Sequence, residues 1–414
     1  MKTLKALSIK GKKETTKETS DIVSCFRSPR TETWELLEPP KNVLNKEDDA
    51  SKLIINNVTQ TNETLKNTLL KSLQMQNLVV LAGSGCSYEV GGPSMNSLWS
   101  AIVEGDCKTL AKSVSETVKY DLTKGNIEAF LSQVEAASFL QNQDVDNFLN
   151  YAKKIILEKM TSFLNLTNNE KLEAHETFLR RLSRRRIRDK RLRVFTTNYD
   201  LCFEQAASNI NCVVIDGFSF TAPRRYDPKY FDYDIVRRSR SSDDNWNYLE
   251  GVFLLYKLHG SVNWEKMNND IIENKMPDPQ KACIIYPAKG KYQESYSQPY
   301  IESISQYLAS LRESNTCVLV MGFGFNDDHL SEPLLSAIRS NPSLRLIIID
   351  PFVKENAEKE DKNIYLKKLL ELSFKGEDIW FINDTFNGFA YKIPDLKTLT
   401  PAERLYKELK GVMQ

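Results

Sequence analysis

The stretch VVLAGSGCSYEVGG, residues 79–92, sets an apolar run directly against a cluster of small residues. Asn77 to Ala82 is apolar on both faces, as a central parallel strand should be, and Gly83, Ser84, Gly85, Gly91 and Gly92 crowd the chain just beyond it. A helical pattern follows from Ser97-Leu98-Trp99. Strand, small-residue turn and helix in that order let backbone N–H groups approach a pyrophosphate, whose charge a helix N-terminus favours. The match to a G-x-G-x-x-G fingerprint is poor. Tyr88 stands where the third glycine would sit, and no ribose-binding acid closes a second strand, because Glu104 and Asp106 fall inside the helical region. Taken alone, the stretch leaves nucleotide binding and a merely tight turn both open.

Similar buried runs recur at Val194–Thr197, Cys212–Ile215, Phe253–Leu258, Cys283–Tyr286, Cys317–Gly322, Leu346–Asp350 and Ile379–Ile382. Several end in Gly, Asn or Asp and helical patterns separate many of them, which predicts an α/β fold: a Rossmann-like, doubly wound parallel sheet. An amphipathic helix with Leu65, Leu69, Leu70 and Leu73 leads into the first strand. Roughly a hundred residues separate that strand from the next, too many for one crossover. Residues 126–140 and 145–166 carry helical periodicity, so 100–190 is expected to form a helical insertion subdomain over one side of a cleft. A second insertion, 218–250, is rich in Tyr, Arg and Asp and reads as an irregular or hairpin excursion. Residues 1–50 carry few apolar positions and are expected to be a flexible extension, with or without a docking role; 51–414 would then be one domain.

Composition narrows the class. Lys and Arg total 56 against 55 Asp and Glu, so no overall charge draws the chain to nucleic acid or a membrane. The 7 cysteines include no Cys-x-x-Cys pair, which argues against a zinc ribbon or a disulfide-dense scaffold; no metal is expected. With no signal-peptide pattern and no run of about 20 apolar residues, the expected home is the cytoplasm. One local exception is FLRRLSRRRIRDKRLR, 178–193, which could grip nucleic acid or an acidic partner, or simply be a solvated face.

Four further turns carry chemistry. RVFTTNYD, 193–200, delivers Thr197 and Asn198 to the carboxyl end of a buried strand, where ligands sit in open α/β sheets. Asn198 is read as a cleft residue; Asp200 is better read as a helix cap, although it stays a ligand candidate. In LLYKLHGSVNW, 254–264, His259 follows a strand and precedes Gly260, which would put its imidazole on the same sheet edge, ready to accept a proton. MGFGFNDDHL, 321–330, offers Gly322, Phe323 and Gly324 to a ribose or phosphate, with Asp327 or Asp328 as caps and His329 as packing or capping. LIIIDPF, 346–352, ends in Asp350, which suits either a ribose hydroxyl or an Asp-Pro turn.

Together these turns resemble the sirtuin superfamily. A-G-S-G-C-S (82–87) is similar to its Gly-Ala-Gly-x-Ser NAD loop, T-T-N-Y-D (196–200) to its Thr-Gln-Asn-Ile-Asp, K-L-H-G-S (257–261) to its catalytic His-Gly, and G-F-G-F-N-D (322–327) to its later ribose-binding turn. The resemblance spans residues 76 to about 390 and implies NAD as substrate, held by Gly83, Ser84, Gly85, Ser87, Thr197, Asp200, Gly322, Phe323, Gly324 and Asp350, with Asn198 and His259 catalytic. The cysteines supply no four-cysteine zinc module, and Pro93-Ser94-Met95 replaces the usual Pro-x-Phe-Arg. Those departures look like the sirtuin-like NAD hydrolases of bacterial anti-phage defence. That likeness implies cleavage to nicotinamide and ADP-ribose, a homo-oligomer, and partnership with a HerA-type ATPase or another defence protein. The alternatives are an NAD-dependent deacylase or ADP-ribosyltransferase, and an NAD- or ADP-ribose-binding assembly subunit.

Overall fold

The computed structural model describes residues 22–395 except 42, 44–47, 141, 165–168, 187, 237–247, 269, 288–297 and 360–362. Its centre is a nine-stranded sheet. In chain order the strands are β1 (Cys25–Arg27), β2 (Glu35–Leu36), β3 (Asn77–Ala82), β4 (Leu192–Thr196), β5 (Val213–Ile215), β6 (Val252–Lys257), β7 (Gly260–Met267), β8 (Asp270–Glu273), β9 (Ala282–Ile284), β10 (Thr316–Met321), β11 (Leu344–Ile349) and β12 (Ile379–Asn383). The sheet runs β2-β1-β12-β11-β10-β3-β4-β6-β5, and the seven strands from β12 to β5 are parallel. Every residue of β3 and of β10 is buried, which is why both read as unbroken apolar runs. From β3 the chain steps outward through β4 and β6, then returns to lay β10 on the other side of β3. The winding therefore reverses between β3 and β10, the switch point at which such sheets open a crevice.

Two apolar layers sandwich the sheet. One gathers Leu65, Leu69 and Leu73 from the helix Asp49–Leu73 with Phe178, Phe203 and Phe389; the other gathers Phe195, Tyr256, Tyr307, Leu334 and Phe381. The first helix is started by Asp48, whose carboxylate accepts the Ser51 N–H at 2.7 Å. No described helix is long and apolar enough to cross a membrane.

Between β3 and β4, the helices Met95–Val103, Lys108–Thr117, Ile127–Ala137 and Gln143–Ser162 build a separate core around Leu98, Phe130, Val134, Phe148 and Ile156. Tyr199, Val262 and Ile284 complete that core, so the insertion is docked on the turn after β4 and on β7 and β9. The helix Glu173–Leu182, expected as its last part, instead packs on the central sheet as the crossover into β4, with Phe178, Leu179 and Leu182 fully buried. In the second insertion, isolated antiparallel bridges join Phe218 to Tyr226 and Val236 to Tyr248; residues 237–247 lie outside the described residues.

Two further expectations are corrected. The run at 283–286 is not a strand of the parallel sheet: β9 pairs antiparallel with β7, and β8-β7-β9 forms a sheet of its own. It is apolar on both sides because Cys283 packs with Trp264 and Phe218 while Ile284 and Tyr286 pack into the helical insertion. The described part of residues 1–50 is not loose. Cys25–Arg27 pair antiparallel with Phe381–Asn383, Phe26 stacks on Trp380 at 5.5 Å, and Ser24 Oγ donates to Asp384 at 3.0 Å. A short antiparallel strand thus covers an otherwise bare parallel edge. Residues 1–21, part of the expected extension, lie outside the described residues.

Candidate active site

A cavity of about 460 Å³ opens at the carboxyl ends of β3, β4, β6 and β10. Gly83, Ser84, Ser87, Thr197, Asn198, Asp200, His259, Gly322, Phe323 and Gly324 all line it, and Lys124, Asn126 and Glu128 of the helical insertion form the facing wall. Residues predicted from four separate turns therefore meet at one place. Gly85 and Asp350 are not on that wall; Gly85 packs beneath it against Gly322, and Asp350 follows β11 on the far side of β10.

The two glycine turns interlock through their main chains. A Cβ on Gly83 would stand 2.5 Å from Gly322 O and 2.8 Å from Phe323 Cα, while Gly322 adopts φ +56°. Gly83 N donates to Met321 O at 2.9 Å, Gly85 N to Gly322 O at 3.0 Å, Cys86 N to Gly83 O at 3.0 Å and Ser87 N to Ser84 O at 3.1 Å. The N–H groups of Gly83, Gly85, Cys86 and Ser87 are thus already committed. The glycines let two loops touch, and the helix that follows, Gly85–Tyr88, is a single turn.

Asn198 is 8% exposed, and its Nδ2 donates to Gly83 O at 3.0 Å and to Ser87 Oγ at 2.9 Å. Ser87 Oγ donates in turn to Asp200 Oδ2 at 2.7 Å, and Asp200 Oδ1 accepts the Cys202 N–H at 3.0 Å. With both amide protons used, the amide oxygen is what Asn198 can offer a ligand. Asp200 is the anchor of this chain: it holds Ser87 and the start of the helix Cys202–Asn209, and it also reaches the cavity wall.

Lys257, which the sequence reading passed over, fastens the same turn from behind. It is 3% exposed, and its ammonium donates to the carbonyls of Asn198 (3.4 Å) and Asp200 while pairing with Glu204 at 3.1 Å. Burial raises the Glu204 carboxyl even beside that ammonium. The sequence signal was there, since lysine is the one charged residue in an otherwise apolar β6. Two residues on, His259 is 2% exposed; its carbonyl accepts the Ile285 N–H at 2.9 Å, and its Nε2 stands 3.4 Å from His329 Nε2. The third histidine, His175, is buried against Phe203 and Phe386, and burial lowers it to about 4. Burial pushes Asp350 up to about 6; its Oδ1 accepts the Phe352 N–H at 2.8 Å.

The arginine run turns largely inward. Arg181 donates to the carbonyls of Ala390, Tyr391 and Ile393; Arg185 to those of Leu73, Met75 and Gln76; Arg186 pairs with Asp189, Arg191 with Asp234, and Arg193 with Glu313. These side chains tie the first helix, the sheet and the second insertion together, while Arg180 and Arg188 of the same run stay exposed.

Such a sheet, with its cavity at the switch point, is a Rossmann-like α/β fold whose crevice lies where ligands of open α/β sheets bind. The SIR2-like domain family matches residues 192–370, a stretch that holds Asn198, His259, Gly322–Gly324 and Asp350 but begins after the β3 turn. No curated protein matches the chain. Among solved structures, a Sir2 homolog–NAD complex is 14% identical over 84% of this chain and 95% of that chain, with a TM-score of 0.39. A Sir2 bound to acetylated peptide is 12% identical over 79% and 96%, with a TM-score of 0.36.

Proposed function

We propose that this protein uses NAD as a substrate and hydrolyses its nicotinamide–ribose bond, releasing nicotinamide and ADP-ribose. The observation that carries the reading is the convergence of Asn198 and His259, from turns 61 positions apart, on one cavity walled by two glycine turns. The cavity's volume, about 460 Å³, lies within the range of small-molecule and cofactor sites. Its lining suits a dinucleotide: small residues at Gly83, Ser84, Gly322 and Gly324 admit sugar and phosphate closely, and Ser84, Thr197 and Asn326 supply polar side chains.

Bound NAD supplies the glycosidic bond, whose cleavage develops positive charge on the ribose. Asn198 then accepts a hydrogen bond from a ribose hydroxyl or from the attacking water, held in place by Gly83, Ser87 and Lys257. His259 takes a proton from that water or hydroxyl. The insertion wall, with Lys124 and Glu128, limits access of bulk water. Depletion of NAD in anti-phage defence, a homo-oligomer and a HerA-type partner extend this reading on the likeness of the motifs alone.

The test is chromatographic detection of nicotinamide and ADP-ribose from NAD with wild type, Asn198→Ala and His259→Ala, with an acetylated peptide present in a parallel arm. Hydrolysis by wild type alone, lost in both variants while circular dichroism is unchanged, is expected. Full activity in His259→Ala, or product only when peptide is present, overturns the assignment. Repeating the assay with a HerA-type ATPase tests the partner.

A further inference from the structure

Two of the chain's 3 histidines meet beside the cavity, His259 on its wall and His329 behind it. His259 Nε2 and His329 Nε2 stand 3.4 Å apart, with ring centroids separated by 5.5 Å and planes inclined by 33°. The rings arrive independently, His259 from the turn after β6 and His329 from the first turn of the helix Asp328–Ser340 that follows β10. Nothing in local sequence forces the meeting, because 70 positions separate them.

A neutral imidazole nitrogen is either an N–H donor or a lone-pair acceptor. Facing nitrogens at this distance therefore share one proton: without it two lone pairs oppose each other, and with two protons two N–H groups do. The charged and titratable groups that line the cavity with His259 are Lys124 and Glu128 from the insertion, Tyr199 and Asp200 from the β4 turn, and Asp327 from the β10 turn, and Asp328 precedes His329 on its own helix. We propose that His329 is a positioning residue that fixes which nitrogen of His259 carries its proton, so that the two imidazoles titrate as one coupled unit. The consequence for catalysis rests on His259 being the proton acceptor in NAD hydrolysis; the coupling itself is a property of the protein without substrate.

The experiment is long-range ¹H–¹⁵N correlation spectroscopy of the full chain labelled at histidine, titrated through the neutral range. Only three imidazoles contribute, and His175, in the core, reports whether the fold is intact. In wild type, His259 and His329 are expected to show two shared steps more than about one pH unit apart. In His329→Gln, which keeps a hydrogen-bonding group but cannot ionise, His259 should titrate in one step with its tautomer retained; in His329→Leu the single step remains and the tautomer changes. A His259 curve that superimposes in wild type and both variants, with the His175 signal in place, overturns the proposal. If His329→Leu loses the His175 signal, His329→Gln carries the comparison.

The pH profile of nicotinamide release is read in parallel. Its acid limb should move by about one pH unit or more in His329→Gln, and an unmoved limb in an active variant overturns the catalytic consequence. Wild type that releases no nicotinamide refutes the NAD reading, while the spectra still decide the pairing.

Discussion

Replacing Gly322 with alanine tests whether the β3 and β10 turns interlock as tightly as their main chains indicate. Gly322 has φ +56°, and a Cβ there would lie 2.6 Å from Cys86 N, 2.6 Å from Gly85 Cα and 2.7 Å from the Gly85 carbonyl carbon. All three are backbone atoms, so no side chain can swing aside. Left-handed backbone costs an alanine about 1–2 kcal/mol. Forcing a methyl into filled space adds about 1–3 kcal/mol. The expected loss is therefore about 2–5 kcal/mol. Gly125 is the control, because it has φ +61° and nothing within 4 Å of its Cβ, leaving only the conformational cost. Urea unfolding followed by far-UV circular dichroism should separate Gly322→Ala from Gly125→Ala by about 1–3 kcal/mol. Equal stability of the two variants would mean that the turns have slack and that the interlock does not hold the cavity's shape.

Lys257→Met should destabilise the chain by about 3 kcal/mol, since it leaves Glu204 and two buried carbonyls without their cation; Lys257→Met/Glu204→Gln should recover part of that loss in the same unfolding assay. Asp350 sits at about 6 when folded, above its ordinary value of about 3.9, so the folded chain holds that proton more tightly and stability falls as pH rises between those values. Asp350→Asn, which keeps an acceptor for the Phe352 N–H, should match wild type near pH 4 and exceed it at pH 7 by up to about 3 kcal/mol in thermal unfolding. Arg185→Leu should lower stability by at least about 2 kcal/mol by orphaning the carbonyls it caps, and filter binding should show its affinity for a DNA oligonucleotide unchanged.

Buried parallel strands announce themselves, and β3, β4, β6, β10, β11 and β12 were all legible because solvent is excluded from both faces. The turns that follow β3, β4, β6 and β10 were legible for the same reason, since a polar or glycine cluster at the end of such a strand has one edge to occupy. Periodicity could not say which core a run joins, so 283–286 was given to the wrong sheet. Nor could it weigh pairing partners: Cys25–Arg27 is three residues long in a polar segment and is a strand only because β12 offers an edge. His329 looked like a capping residue because its partner lies 70 positions away. The inward roles of Arg181 and Arg185 were hidden because the carbonyls they cap come from other segments.

The strand order also dictates when the crevice can come into being. β10 enters between β3 and β11, and it brings the Gly322–Gly324 turn and, just after it, His329. During synthesis β3 must wait, one flank bare, until more than two hundred further residues have emerged. A ribosome-bound chain short of that point holds Asn198 and His259 without the opposite half of their enclosure, so the closed cavity is confined to molecules whose translation has passed β10.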